Sequence, residues 1–176
     1  TMQIASARGA GGRLAMDTDD VEYAVAAWRE EGRWSVAALP PRSTDSLDSF
    51  LGALRQLVAE GGALGFLVVD EEFFLGVRMM PDGAARLLLS DIGAALEYPL
   101  AAQAVDVLEL DLPDDDEDLD EVEPVGDISF AADLGMPVNE LELLLDDPEL
   151  YPDEQVMAIA SRLGFDAQLT AALERP

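Results

Sequence analysis

The chain has 176 residues, 49% of them apolar, and a net charge of −27, with no histidine, cysteine or lysine. That composition excludes a disulfide framework, a zinc centre built on thiolate or imidazole, and nucleophilic catalysis with a histidine base. The charge excludes a grip on nucleic-acid phosphates or anionic membranes, which needs clustered cations, and leaves basic proteins as the natural partners.

All ten basic residues are Arg. With the richness in Ala, Gly, Asp and Leu, this fits codon bias in a GC-rich genome. No apolar run approaches the ~20 residues that span a bilayer. Residues 1–20 carry Arg8 and Arg13 without a following apolar stretch of signal-peptide length, and read as a flexible arm in which Met16 is a candidate first residue. A cytoplasmic address fits the absence of cysteine, and no cofactor is expected.

From Glu22 to Arg29 apolar and polar residues alternate, with Tyr23, Val25 and Ala27 on one face. After the turn Glu30-Glu31-Gly32 the alternation resumes from Arg33 to Leu39, which predicts a hairpin. Trp28 and Trp34 belong to this hairpin as core residues beside a turn. Alternation alone does not decide whether they share a face.

Asp45 or Ser46 then caps a helix in which Leu47, Phe50, Leu51, Leu54, Leu57 and Val58 fall on one stripe, closed by Gly61-Gly62. The continuous apolar run Leu64 to Val69 predicts a central strand. Phe73 to Met79 and Ala84 to Leu89 predict two more, separated by Asp70-Glu71-Glu72 and Pro81-Asp82-Gly83. Ser90 and Asp91 suit a helix start, with partial helix from Ala94 to Leu108.

The result is an α+β fold in ββαβββα order, a five-stranded antiparallel sheet with helices on one face. Profilin-like and longin-like domains share that order by analogy.

The charge is not evenly spread. Residues 106–127 hold 12 acids and no base. The division expected is a 1–20 arm, a 21–108 α+β domain, a 109–126 acidic linker and a 127–176 helical subdomain. In the last, a short helix from Asp127 to Leu134 ends at Gly135. Pro137 starts another, with Val138, Leu141, Leu144 and Leu145 on one stripe. A third runs from Asp153 to Leu163, with Gly164-Phe165 as a Schellman stop, and a fourth from Ala167 to Leu173.

Chemistry-bearing motifs are few. Gly9-Ala10-Gly11-Gly12 precedes no strand-to-helix turn and is no phosphate loop. Asp70, Glu71 and Glu72 are candidate acid–base carboxylates, but a solvated turn explains them as well. The candidate partner-binding residues are Asp114, Asp115, Asp116, Glu117, Asp118, Asp120, Glu121 and Glu123. They lack the glycine and the closing glutamate spacing of a calcium loop, so no metal is expected. They serve either as a solvated spacer or as an electrostatic contact with a basic protein.

The hairpin from Tyr23 to Trp34, Leu88-Leu89-Ser90-Asp91 before an Ala-rich helix and the acidic linker carry a resemblance when taken in order. Ala132-Asp133-Leu134-Gly135 and Ile159-Ala160-Ser161-Arg162-Leu163-Gly164-Phe165 complete it. From about Val21 to Leu173 the chain resembles the actinobacterial tRNA adenosine deaminase-associated proteins. The resemblance implies a companion of a tRNA adenosine deaminase and supplies no catalytic residues. A zinc deaminase needs an H-x-E…P-C-x-x-C signature, which this chain cannot form. The function expected is a non-catalytic acidic binding protein. The alternative is a nucleic-acid mimic or immunity-type inhibitor, which requires its acids on a rigid surface. The oligomeric state is open.

Overall fold

The structure, a computed structural model, describes residues 21–57, 62–69, 71–111 and 122–174. Strand β1 (Tyr23–Glu30) and β2 (Arg33–Ala38) form the first hairpin. Glu31 and Gly32 both have positive φ, 51° and 79°, as a type I′ turn requires; its twist matches that of the flanking strands. Helix α1 (Leu47–Arg55) follows, with the Ser46 hydroxyl accepting from the Ser49 amide. Strands β3 (Ala63–Val69), β4 (Phe73–Met79) and β5 (Ala85–Leu89) come next, then α2 (Pro99–Val107). The predicted ββαβββα order is the order observed.

A sixth strand, β6 (Val125–Gly126), pairs with β5. The sheet order is β2-β1-β3-β4-β5-β6, antiparallel throughout. Two residues are too short to show alternation in sequence, which is why five strands were expected.

Helices lie on both faces of the sheet, not on one. β3 and β4 are buried along their whole length, and a strand with both pleats apolar needs a cover on each side. On one face Ala26, Leu67, Leu75, Val77 and Leu87 pack with Phe50 and Leu54 of α1 and with Leu100 and Ala104 of α2. On the other, Val25, Leu64, Phe66, Val68, Phe74 and Leu88 pack with residues of the C-terminal helices α3 (Val138–Leu145), α4 (Pro152–Leu163) and α5 (Asp166–Glu174). Asp127 to Leu134, expected as a short helix ending at Gly135, is helical only in its last turn, a 3-10 turn over Ala132–Leu134 that follows a run of turns and ends at Gly135.

Two strand glycines make room for these covers. A Cβ at Gly65 would lie 2.5 Å from Leu54 Cδ1, so α1 sits over the gap. A Cβ at Gly76 would lie 3.0 Å from Phe130 Cε2, so the ring of Phe130 fills the other face there. The C-terminal end of α4 is closed by Gly164 at φ 102°, with the Gly164 and Phe165 amides both donating to the Ala160 carbonyl. The six-to-one bond from Phe165 is that of a Schellman motif, and it turns Phe165 into the core.

Candidate functional site

The acidic segment leaves from the end of α2. There Leu110 N–H donates to the Val105 carbonyl at 3.1 Å, and Glu109 takes φ 60°. It returns at the corner after β5. The Ile92 amide donates to the Glu123 carbonyl at 2.9 Å, and the Glu123 amide reaches Asp91 Oδ1 at 3.4 Å. Asp91 Oδ1 also accepts from the Gly93 amide, so this carboxylate organises the turn and the returning chain together. Val125 then joins β5 as an edge strand.

Of the candidate partner-binding residues, Glu123 is exposed and lies beside this corner. Asp114, Asp115, Asp116, Glu117, Asp118, Asp120 and Glu121 lie outside the described residues. The arrangement of acids that a nucleic-acid mimic requires falls in that same stretch.

The sequence reading missed the apolar residues at the two ends of the segment. Val107, Leu110 and Val122 are 53%, 41% and 58% exposed. The signal was present in their being the apolar residues next to a run of acids, but exposure depends on the tertiary cover of α2, which is not a local property. Exposed apolar groups rimmed by charge are a feature of protein-binding surfaces.

The turn carboxylates offer less. Glu71 and Glu72 are exposed, Glu72 accepting from the Tyr98 hydroxyl at 3.3 Å, and Asp70 lies outside the described residues. Among the described residues the buried polar side chains are Ser43, Thr44, Arg78, Ser90 and Gln155, and no group of carboxylates there is placed to hold a metal ion.

Arg78 is the buried cation among the described residues, 3% exposed. It points from β4 to the C-terminal side of the sheet, bonds the Phe130 carbonyl at 3.2 Å and pairs with Asp133. The Arg78 hydrogen bond, ahead of other effects, holds the Asp133 carboxyl below its usual range. Arg78 lines an open concavity of about 430 Å³ with Arg29, Trp34 and Leu134. The Arg29 guanidinium stands 5.5 Å over the Trp34 ring. Trp34 packs with the C-terminal-side core and Trp28 with the α1 side, so the two tryptophans occupy opposite faces.

Elsewhere Arg162 donates to Glu140 at 2.6 Å, which lowers the Glu140 carboxyl pKa and raises that of Arg162. Burial first, then the nearby Asp153 and Glu22 charges, pushes the Tyr23 hydroxyl above its usual range. Among the described residues no helix is long and apolar enough to cross a membrane.

No solved structure matches the chain. Protein Rv3753c of Mycobacterium tuberculosis (strain ATCC 25618 / H37Rv) is 43% identical over 165 residues, which covers 93% of each chain. A family model spans residues 22–166, from the entry of β1 to the start of α5. By that match the chain belongs to the Rv3753c-like tRNA adenosine deaminase-associated proteins.

Proposed function

We propose that this chain is a non-catalytic companion of a tRNA adenosine deaminase in the cytoplasm, held to a basic face of that enzyme through its acidic segment. The observation that carries the reading is the pairing of family with charge. A family named for association with a tRNA-modifying enzyme has here a member with net charge −27, and 12 of its acids lie in residues 106–127. An enzyme that binds tRNA carries a basic surface. An acidic partner is steered to such a surface over long range, and salt weakens the attraction.

The segment is suited to this by its ends. Val107, Leu110 and Val122 supply apolar contact on either side of the charges, and apolar contact slows dissociation where charge alone mainly speeds encounter. The absence of histidine and cysteine leaves the deamination chemistry to the partner, since the zinc site cannot be made here. By occupying the basic face, the companion would govern tRNA access to it.

The test mixes the purified chain with its cognate deaminase at low and at high salt, and repeats it with the acids from Asp114 to Glu123 replaced by Asn and Gln. Co-elution at low salt, weakened by high salt and by the neutral segment, is expected. Failure to co-elute at low salt refutes the proposal.

A further inference from the structure

Helix α3 breaks an electrostatic rule that α4 keeps. A helix is negative at its C-terminal end, so cations belong in its last turn and acids in its first. α4 has Asp153 and Glu154 in its first turn and Arg162 in its last. α3 has no base in its last turn, and Asp146, Asp147 and Glu149 crowd the same end. Glu142 and Asp146, four residues apart, add a like-charge pair along the helix. In all, residues 140–154 hold seven acids and no base, whereas residues 29–55 hold four Arg and four acids. The ion pairs among the described residues use Asp127, Asp133 and Glu140. Glu142, Asp146, Asp147 and Glu149 therefore have no cation in ion-pair range there.

An apolar side chain stands in the middle of this charge. Leu143 is 71% exposed, more than any other large apolar residue described. Leu141 and Leu145 are buried, and Leu143, two residues from each, lies on the opposite side of the helix. Its neighbours three and four residues away on the helix surface include Glu140, Asp146 and Asp147. The start of α4 lies beside it: Gln155 Nε2 donates to the Leu144 carbonyl at 3.4 Å, which seats the first turn of α4 against the last turn of α3. Tyr151, the N-cap of α4, is 53% exposed. The α3–α4 corner thus offers an aliphatic and an aromatic group rimmed by carboxylates, as protein-binding surfaces do.

Charge and apolarity together select the occupant. A second copy sets acid against acid, and nucleic acid or an anionic membrane is repelled. A bare cation matches the charge but leaves Leu143 and Tyr151 in water. A basic protein segment with an apolar face matches both. Its apolar side chains bury Leu143, its Lys or Arg can stack on the Tyr151 ring, and its cations supply what the C-terminal end of α3 lacks.

We infer that the α3–α4 corner docks such a basic amphipathic segment of a partner protein, centred on Leu143. α3 and α4 pack on the face of the sheet opposite to α2, from whose end the acidic segment leaves. The corner is therefore a separate surface, and its role does not rest on that of the acidic segment.

The probe is a helix-forming peptide of Leu and Lys with its leucines along one face, titrated into the isotope-labelled full chain while backbone amide shifts are followed by NMR. Shifts centred on residues 140–154 are expected, and they should persist when the acids from Asp114 to Glu123 are replaced by Asn and Gln. Leu143→Gln changes an exposed position to another good helix former. It should weaken binding at the corner roughly tenfold, the equivalent of leaving one leucine unburied. The same peptide with every Leu replaced by Ser keeps its charge and should lose affinity likewise. Shifts confined to the acidic segment, a Ser peptide that binds the corner as tightly as the Leu peptide, or a Leu143→Gln chain that binds unchanged overturns the inference.

Discussion

Arg78 of β4 holds Asp133 with both arms of its guanidinium: Nη1 meets Oδ1 at 2.7 Å and Nη2 meets Oδ2 at 3.1 Å. The pair is lopsided, because Arg78 is 3% exposed and Asp133 is 64% exposed. Its main work is to compensate a buried cation, and it ties the sheet to the segment leading into α3. Replacing Asp133 by Asn keeps the shape and removes the charge. A fully buried pair broken in this way costs about 3–5 kcal/mol. With one partner in water the loss should be about 1–2 kcal/mol, read as a lower urea midpoint at neutral pH.

The same pair sets a pH dependence. The Arg78 hydrogen bond lowers the folded-state pKa of Asp133. A carboxyl depressed on folding contributes stability that is complete above its unfolded pKa, about 3.9, and is lost as pH falls through the lower folded value. The stability gap between the natural chain and Asp133→Asn should be flat near neutrality and close below about pH 4. A gap that closes between pH 6 and 8 instead would assign the effect to another group.

The two central strands show what the sequence made legible and what it did not. The runs Leu64 to Val69 and Phe73 to Met79 announced strands, and the alternation from Tyr23 to Trp34 announced the hairpin. Which helices cover which face is a matter of long-range contact that periodicity does not encode. The continuous burial of β3 and β4 was the clue that both pleats need a cover. β6 was hidden because two residues carry no period, and Arg78 because a lone Arg in an apolar run gives no sign of its distant carboxylate. Of the candidate site, the acids were plain in the sequence. Their apolar flanks at Val107, Leu110 and Val122 needed the packing of α2 to be recognised as exposed.

Gly65 and Gly76 test the two-sided core separately. Gly65→Ala brings a methyl against Leu54 and Phe50 beneath α1, and Gly76→Ala brings one against Phe130 on the other face. Overpacking of this kind costs about 1–3 kcal/mol. The first contact, at 2.5 Å, is closer than the second, at 3.0 Å, so Gly65→Ala should lower the denaturation midpoint more. Hydrogen exchange should localise the loosening to α1 for Gly65→Ala and to the Phe130 segment for Gly76→Ala.

Phe165 should be the most sensitive position on the C-terminal side. It is fully buried, its ring centre lies 4.8 Å from that of Trp34 and 6.3 Å from that of Phe66, and it follows the glycine that ends α4. Phe165→Ala should cost about 3–5 kcal/mol. Trp34→Phe keeps an aromatic ring beside Phe165 but removes the indole N–H bond to the Leu163 carbonyl, 3.1 Å long, with part of the ring beneath Arg29, so its loss should be about 1–2 kcal/mol. Chemical denaturation followed by circular dichroism compares the two. If Trp34→Phe proved the more damaging, the indole of Trp34 and not the buried ring of Phe165 would be what fastens α4 and α5 to β2.

The net charge gives a prediction independent of any one side chain. Twenty-seven excess negative charges repel one another more in the compact state than in the expanded one, and mobile ions screen that repulsion over about 10 Å at 0.1 M salt. Screening also weakens the exposed Arg162–Glu140 pair, but an isolated surface pair contributes little beside the summed repulsion. Added sodium chloride should therefore raise the melting temperature. Neutralising the acids from Asp114 to Glu123 should raise it at low salt and leave less for salt to gain. A melting temperature that falls as salt is added would mean that attractive pairs such as Arg78–Asp133 outweigh the repulsion between the acids.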